Sequence, residues 1–305
     1  MRRIYNADIR EPNTQVTLRE QYSIDPMSVL GMDMEEYASV KKSIEAFYRN
    51  QLKFSGADGY VIGLSGGIDS SLVATLAVDA VGAGKVYGVI MPSRYSNEED
   101  ISIAVELAED LGMKINDYLQ TQSVFDPILN LLIEAGQVNP DQDIQRIKEG
   151  NIQARMRMII LRDIAKNRNS LVLGTTNRSE ELMGYFTIGG DGAGGIDNEG
   201  ISGLYKTTEK IFAGYLGLDD KIIEKAPTAG WWKGQTDEDE LGMSYENLDL
   251  ILAGLELEVE KRWMADMIDR EDISQEEIDM VARHMDKISY KNRPAPRPFF
   301  FRQGR

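Results

Sequence analysis

The chain has 305 residues, is 42% hydrophobic and 8% aromatic, and carries 34 basic against 50 acidic residues for a formal net charge of −16. That length holds one large or two small soluble domains. No run approaches the ~20 consecutive apolar residues of a membrane helix, and no basic footprint points to nucleic acid. Cysteine is absent, which excludes disulfides, thiolate metal sites and any cysteine nucleophile, a glutaminase included. The single histidine, His284 in VARHMDK, reads as a helix-surface residue and leaves no material for a His-rich metal site or a Ser-His-Asp triad. MRRIYNADIR at the start has arginines without an apolar run behind them, so no signal peptide is expected and cytoplasmic residence is the default. Any phosphate ligand of so acidic a chain must be held by local cations and backbone donors, since charge is screened over ~8 Å at physiological salt.

In chain order, residues 1–34 read as a polar N-terminal arm and 35–305 as a single α/β domain. MEEYASVKKSIEAFYRNQLKFSG (34–56) has the spacing of an amphipathic helix. GYVIGL (59–64) is a short β-rich run, followed by a Gly-Ser turn and DSSLVATLAVDAV (69–81), a buried helix. KVYGVIM (85–91) predicts a second strand, EEDISIAVELAEDLG (98–112) a helix ending at Gly112, and KINDYLQ (114–120) a third strand. A long helix is expected around 142–168 and another strand in SLVLGT (170–175). Alternating strands and helices predict a mostly parallel, doubly wound sheet covered on both faces, with a helical C-terminal portion. Ligands should then sit at the carboxyl ends of the strands. GGDGAGGIDNEGISG (189–203) is a glycine-rich loop, of the kind that is usually functional or mobile.

GLSGGIDSS spans Gly63, Leu64, Ser65, Gly66, Gly67, Ile68, Asp69, Ser70 and Ser71, between a predicted strand and a predicted helix. The paired glycines allow a tight turn and close approach of a ligand to the backbone. The helix start offers free N–H donors suited to phosphate, and the serines add hydroxyls. Asp69 would repel phosphate by itself, so its presence suggests a bridging Mg²⁺. The plain alternative is a turn in which Ser70 or Asp69 merely caps the helix. The Gly-Lys-Ser/Thr ending of a Walker A loop is missing, as is the G-x-G-x-x-G turn of a dinucleotide-binding redox enzyme.

The string resembles the pyrophosphate loop of the N-type ATP pyrophosphatases, which have an adenine nucleotide alpha-hydrolase-like fold and split ATP between its α and β phosphates. GNIQARMRMIILRDIA (150–165), LVLGTTNRSEELMGYFT (171–187), APTAGWWKGQTDEDELGMSYENLD (226–249) and SYKNRP (289–294) are similar, in order and spacing, to the blocks of ammonia-dependent NAD synthetases. The similarity runs over roughly 35–298. It implies a carbon–nitrogen ligase that adenylates the nicotinate carboxylate of deamido-NAD with ATP and aminates it with free ammonia, giving NAD, AMP and pyrophosphate. It further implies a homodimer with the acceptor near the subunit interface. A related ligase amidating a different carboxylate is the alternative.

By the same resemblance, Asp69 and Glu180 would share the Mg²⁺ and be the catalytic pair. Thr175, Lys206 and Thr228 would contact ATP together with the turn, and Arg94 is a plausible phosphate contact. Arg155, Tyr290 and Lys291 would contact the acceptor. Plain alternatives remain for several of these. Glu180 could be a solvated first-turn residue, Thr175 a cap, Lys206 a surface charge and Arg94 half of a surface ion pair. Arg155 and Arg157, two apart on a helix, cannot both face one ligand. TDEDELG (236–242) reads as a helix N-terminus stabilised by its acids more than as a metal cluster. Trp231 and Trp232 read as loop-packing residues, with nucleotide stacking as the alternative. The run FTIGGDGAGG departs from the family pattern. Ile188 stands where a substrate-contacting lysine is expected, and Gly195 where an aspartate would align, with Asp197 close by.

Overall fold

A computed structural model of the protein describes residues 30–292 apart from 117–118, 193, 233, 260, 263 and 265–272. The greater part of the expected N-terminal arm and the stretch beyond 292 thus lie outside the described residues. The first helix, α1 (Met34–Ser55), begins at Asp33, whose carboxylate accepts from the Glu35 and Glu36 N–H groups while Glu36 returns the bond. This reciprocal cap satisfies donors that the helix cannot pair internally. Gly56, in the left-handed region, ends it.

Five parallel strands follow: β1 (Gly59–Gly63), β2 (Val86–Val89), β3 (Lys114–Ile115), β4 (Ser170–Gly174) and β5 (Asn198–Glu199), in the order β3-β2-β1-β4-β5. The helices between β1 and β4 are α2 (Ile68–Val81), α3 (Glu98–Asp110), α4 (Gln122–Glu134) and α5 (Gln142–Asn167). Strand alternation sends Tyr60 and Ile62 to one face, where they meet α1, α2 and α3 in the largest apolar cluster. Val61 and Val89 go to the other face and pack with Met158, Leu161 and Ala165 of α5. The sheet is therefore covered on both sides, as the sequence predicts. The third strand is shorter than expected, two residues in place of KINDYLQ. The glycine-rich run contains β5, which the sequence reading misses.

The C-terminal portion is helical: α6 (Arg178–Met183), α7 (Lys206–Tyr215), α8 (Asp220–Ile223), α9 (Asp237–Leu241), α10 (Tyr245–Glu256) and α11 (Gln275–Ile288). A cluster around Met183, Tyr245, Leu248, Ile251 and Ile278 joins α6, α10 and α11. TDEDELG forms a helix N-terminus, with Thr236 capping α9. No described helix is long and apolar enough to cross a membrane.

One buried carboxylate ties these helices to each other. Asp249 of α10 accepts from the Ser179 hydroxyl at 2.5 Å and from both the N–H and the hydroxyl of Thr207 at 2.8 Å. Ser179 in turn accepts from the Lys206 N–H at 3.0 Å. Burial raises the Asp249 pKa, and these donors only partly offset it. Asp249→Ala should destabilise the fold by about 1–3 kcal/mol for each donor left unpaired, read as a lower denaturant midpoint. Asp249→Asn, which keeps one acceptor oxygen, should lose less. An unchanged midpoint for the alanine variant would contradict this joint.

Candidate functional site

Order β3-β2-β1-β4-β5 places a topological switch between β1 and β4, where crevices open at the carboxyl ends of parallel strands. A cleft of ≈ 310 Å³ lies there. Gly63–Ser65 after β1, Ile90–Pro92 after β2 and Gly174–Thr176 after β4 form its floor, and 225–231 forms one wall.

The Gly-Ser turn is held open by its own serines. Ser65 Oγ lies 3.0 Å from Ser70 Oγ and accepts from the Gly67 N–H at 3.2 Å, while Ser71 Oγ donates to the Gly67 carbonyl at 2.8 Å. Gly67 is the N-cap of α2 and supplies no side-chain partner to its first N–H groups. Neither Asp69 nor Ser70 caps this helix, so its unpaired donors suit an anion. Gly66 has φ +75°, and a Cβ there would stand 2.2 Å from the Asp100 carbonyl oxygen. Only glycine fits.

Behind the turn lies a buried charge cluster. Lys206, the first residue of α7, is 1% exposed, and its Nζ is 2.6 Å from both oxygens of Asp69. Glu180 Oε1 and Glu209 Oε2 each lie 3.7 Å from the same ammonium. Burial disfavours the charged lysine, but the three carboxylates outweigh it and hold its pKa above the ordinary value. Burial works against the Asp69 anion as well, yet Lys206 and hydrogen bonds keep its pKa low. Glu180 goes the other way: burial first, then the Asp69 charge, push it well above the usual carboxylate range. Asn177 Nδ2 donates to Asp69 at 3.0 Å, and its side-chain oxygen accepts from the Glu180 N–H at 2.9 Å while Glu180 returns a bond to the Asn177 N–H. Glu180 is thus a first-turn helix residue in a capping box, and its carboxylate also faces the cleft.

Asp69 and Glu180 already converge on one cation. Two carboxylates beside phosphate donors fit Mg²⁺, which usually takes one or two protein carboxylates and completes its shell with phosphate oxygens and water. Among the described residues no three His, Asp or Glu side chains make a metal site by themselves.

The other expected residues are distributed as follows. Gly63, Leu64, Ser65, Gly67, Ile68, Asp69, Ser70, Thr175, Glu180 and Thr228 line the cleft. Gly66 and Ser71 shape the turn from behind. Lys206 is a buried ion-pair residue, neither a surface charge nor part of the cleft lining. Arg94 does not line the cleft, because its guanidinium pairs with Asp126 of α4. Arg155 is exposed, donating from Nε to the Ile188 carbonyl at 3.1 Å, whereas Arg157 lines the cleft. The rule that two arginines two apart diverge holds, and the one brought inward is the one not selected from the sequence. Tyr290 is exposed. Lys291 Nζ donates to the carbonyls of Gly184 at 2.7 Å and Phe186 at 3.1 Å. Asp197 is bound to Arg162 at 2.6 Å and to the Val172 N–H at 2.8 Å, which commits it to the sheet edge. His284 reaches the Met183 carbonyl at 3.0 Å.

Several cleft residues escape the sequence reading. Asp191 lines the cleft and accepts from the Thr187 N–H at 2.8 Å; desolvation raises its pKa, while that N–H, Arg157 and Lys291 pull the other way. Tyr185 and Asp237 are joined at 3.2 Å, and Asp237 accepts from the Ala229 N–H at 3.1 Å, which anchors the 225–231 wall. Trp231 lies so close over α5 that a Cβ on Gly150 would be 2.9 Å from its ring, and the Arg157 guanidinium stands 5.1 Å from that ring's centre. It packs the wall, as the plainer alternative has it. The N-x-x-E spacing of Asn177 and Glu180 is a capping signature that could have singled out Asn177; Asp191 and Lys225 carry no such local signal.

A family model described as NAD synthase matches residues 40–295. The NH(3)-dependent NAD(+) synthetase of Methanocaldococcus jannaschii is 44% identical over 224 residues, 73% of this chain and 82% of that protein. That of Thermococcus kodakarensis is 41% identical over 266 residues, 87% of this chain and 98% of that protein. Among solved structures, an NMN synthetase from Francisella tularensis superposes with a TM-score of 0.73 at 31% identity, covering 88% of this chain and 100% of that one. An NH3-dependent NAD synthetase from Campylobacter jejuni gives 0.70 at 29% identity with the same coverage.

Gly66→Ala should cost about 1–3 kcal/mol of backbone strain and weaken ATP binding by displacing the turn from Asp100. Chemical denaturation and calorimetric titration with ATP check this; full stability together with full affinity would contradict the close approach seen here.

Proposed function

The chain belongs to the NAD synthase family, and on that footing we propose that it amidates the nicotinate carboxylate of deamido-NAD with free ammonia at the expense of ATP. The observation that carries this reading is the uncapped, glycine-lined start of α2 with Asp69 and Glu180 converging beside it. A carboxylate resists ammonia because oxide is a poor leaving group. An oxygen of the nicotinate carboxylate therefore attacks the α-phosphorus of ATP, and the bond to the β-phosphate oxygen breaks to release pyrophosphate. Ammonia then adds to the acyl carbon of the adenylate, AMP leaves, and one proton is lost.

In this reading Ser65, Ser70 and the N–H groups opening α2 hold the pyrophosphate portion and so fix the α-phosphorus in line. Asp69 and Glu180 would hold Mg²⁺, which when bound would offset charge building on the departing pyrophosphate. Lys206, which stays paired with Asp69, would add its positive charge to the phosphate site from behind the turn. Thr175 and Thr228 border the nucleotide. At the other end of the cleft Asp191, between Arg157 and Lys291, is the carboxylate best placed to accept the ammonia proton. With no cysteine in the chain, ammonia arrives free or from a separate protein. A different acceptor carboxylate is not favoured by relatives at 41 and 44% identity that share the ammonia-dependent name. The need for ATP fits a cytoplasmic setting.

A homodimer accords with the apolar side chains left on the outer surfaces of α4 and α5. Leu131, Ile147 and Ile159 are exposed by 64, 52 and 68%, apolar surface that a second copy would cover. Sedimentation should give about twice the chain mass of 34.2 kDa; a monomer at micromolar concentration would exclude the dimer.

Purified protein given ATP, Mg²⁺, ammonium and deamido-NAD should form NAD, AMP and pyrophosphate in equal amounts, and chelation of the metal should stop it. Asp69→Asn should lower turnover by at least about 100-fold, the size of a lost charge-stabilising contact. Pyrophosphate release with another acid but none with deamido-NAD would overturn the acceptor; an unaffected Asp69→Asn rate would overturn the metal role.

A further inference from the structure

A cleft cation remains that none of the motifs or steps above uses. Lys225 lies on the cleft wall, with its Nζ 2.6 Å from Asp100 Oδ1 and the two side chains 25 and 21% exposed. Its position is fixed by packing. Ile222, three residues earlier, is buried against Ile68 of the phosphate turn and Ile103 of α3. From there the chain runs as the wall formed by 225–231. The backbone of Asp100 touches the turn, its carbonyl oxygen being the atom that a Cβ on Gly66 would strike. The Lys225–Asp100 pair thus stands at the rim of the glycine-serine turn.

The other cations are committed elsewhere. Lys206 is enclosed by Asp69, Glu180 and Glu209, Arg94 pairs with Asp126 outside the cleft, and Arg157 stacks on Trp231 beside Asp191. Asp69, Asp100, Glu180, Asp191 and Asp237 all line the same cleft. Polyphosphate entering so acidic a space needs a mobile positive charge at the turn. An ammonium on a four-carbon stem is a point charge that can change partners.

Resting on the reading above, we propose that Lys225 is a phosphate-binding residue for the pyrophosphate portion of ATP. Asp100 holds the ammonium in this structure and competes with the nucleotide for it. The pair is a charge exchange: Asp100 keeps the lysine extended along the rim, and phosphate oxygens take it over. Asp100 is then a positioning residue whose removal favours the nucleotide.

Calorimetric titration with inorganic pyrophosphate and Mg²⁺, alongside initial rates at varied ATP, tests this in Lys225→Gln, Lys225→Arg, Asp100→Asn and the Lys225→Gln/Asp100→Asn double variant. Lys225→Gln should weaken pyrophosphate binding and raise the KM for ATP by about ten- to a hundredfold, the range for a hydrogen bond to a charged group, without changing the KM for deamido-NAD. Lys225→Arg should restore most of the loss. Asp100→Asn should move the other way, tightening pyrophosphate binding by up to about fivefold. That gain should vanish in the Lys225→Gln background, which separates exchange from simple repulsion by Asp100.

If Lys225→Gln leaves pyrophosphate affinity unchanged, the assignment fails. It fails equally if Asp100→Asn weakens binding as Lys225→Gln does, because the pair would then be a structural latch. Should Lys225→Gln melt below the assay temperature, the sign of the Asp100→Asn shift decides. A wild-type enzyme that binds pyrophosphate but forms no NAD would sink the proposed reaction and leave this comparison standing.

Discussion

The site depends on one buried ammonium. Lys206 brings together Asp69 from α2, Glu180 from α6 and Glu209 from its own helix, groups that arrive from three separate parts of the chain. A lysine at 1% exposure survives only with opposite charge around it, and carboxylates so close together survive only with a cation between them. Each makes the other tolerable. Two of these carboxylates also face the cleft, so the charge that stabilises the fold is the charge that a divalent ion would use. A divalent ion held there would add to the positive charge that Lys206 already places behind the turn.

Support for this cluster comes from hydrogen bonds placed behind it. Asp249 fixes Ser179 and Thr207, and through them the starts of α6 and α7, while Asn177 bridges Asp69 and Glu180. A catalytic group is held within a fraction of an ångström only if its neighbours are held as well. The polar scaffold thus does for the site what the apolar clusters do for the sheet. The acidic surplus of the whole chain has little bearing at this distance scale, because a few oriented donors and cations dominate within the cleft.

Local features were the legible ones. The short apolar strands, the helices from 34, 69 and 98, and the glycine-serine turn follow from short stretches whose side chains decide their own conformation. The helix Gln122–Glu134 is not foreseen; Pro127 in its interior normally argues against a helix. β5 is two residues long in a glycine-rich run, too short to show any period. The choice between Arg155 and Arg157 depends on which side of α5 meets the sheet, and the resemblance points to Arg155, which the structure leaves exposed. Arg94 finds Asp126, a partner 32 positions away, and no spacing rule reaches that far.

By itself the sequence determined the fold class, the glycine-serine turn and the reaction family, because each is written in contiguous residues whose chemistry and order are self-contained. Only the tertiary structure decided that Lys206 is buried among carboxylates, that Arg157 rather than Arg155 lines the cleft, and that Lys225 meets Asp100 at the rim of the turn. Those facts are distances between elements remote in the chain. Close packing and the high energy of unpaired buried charge set such distances, and neither acts until the chain has folded.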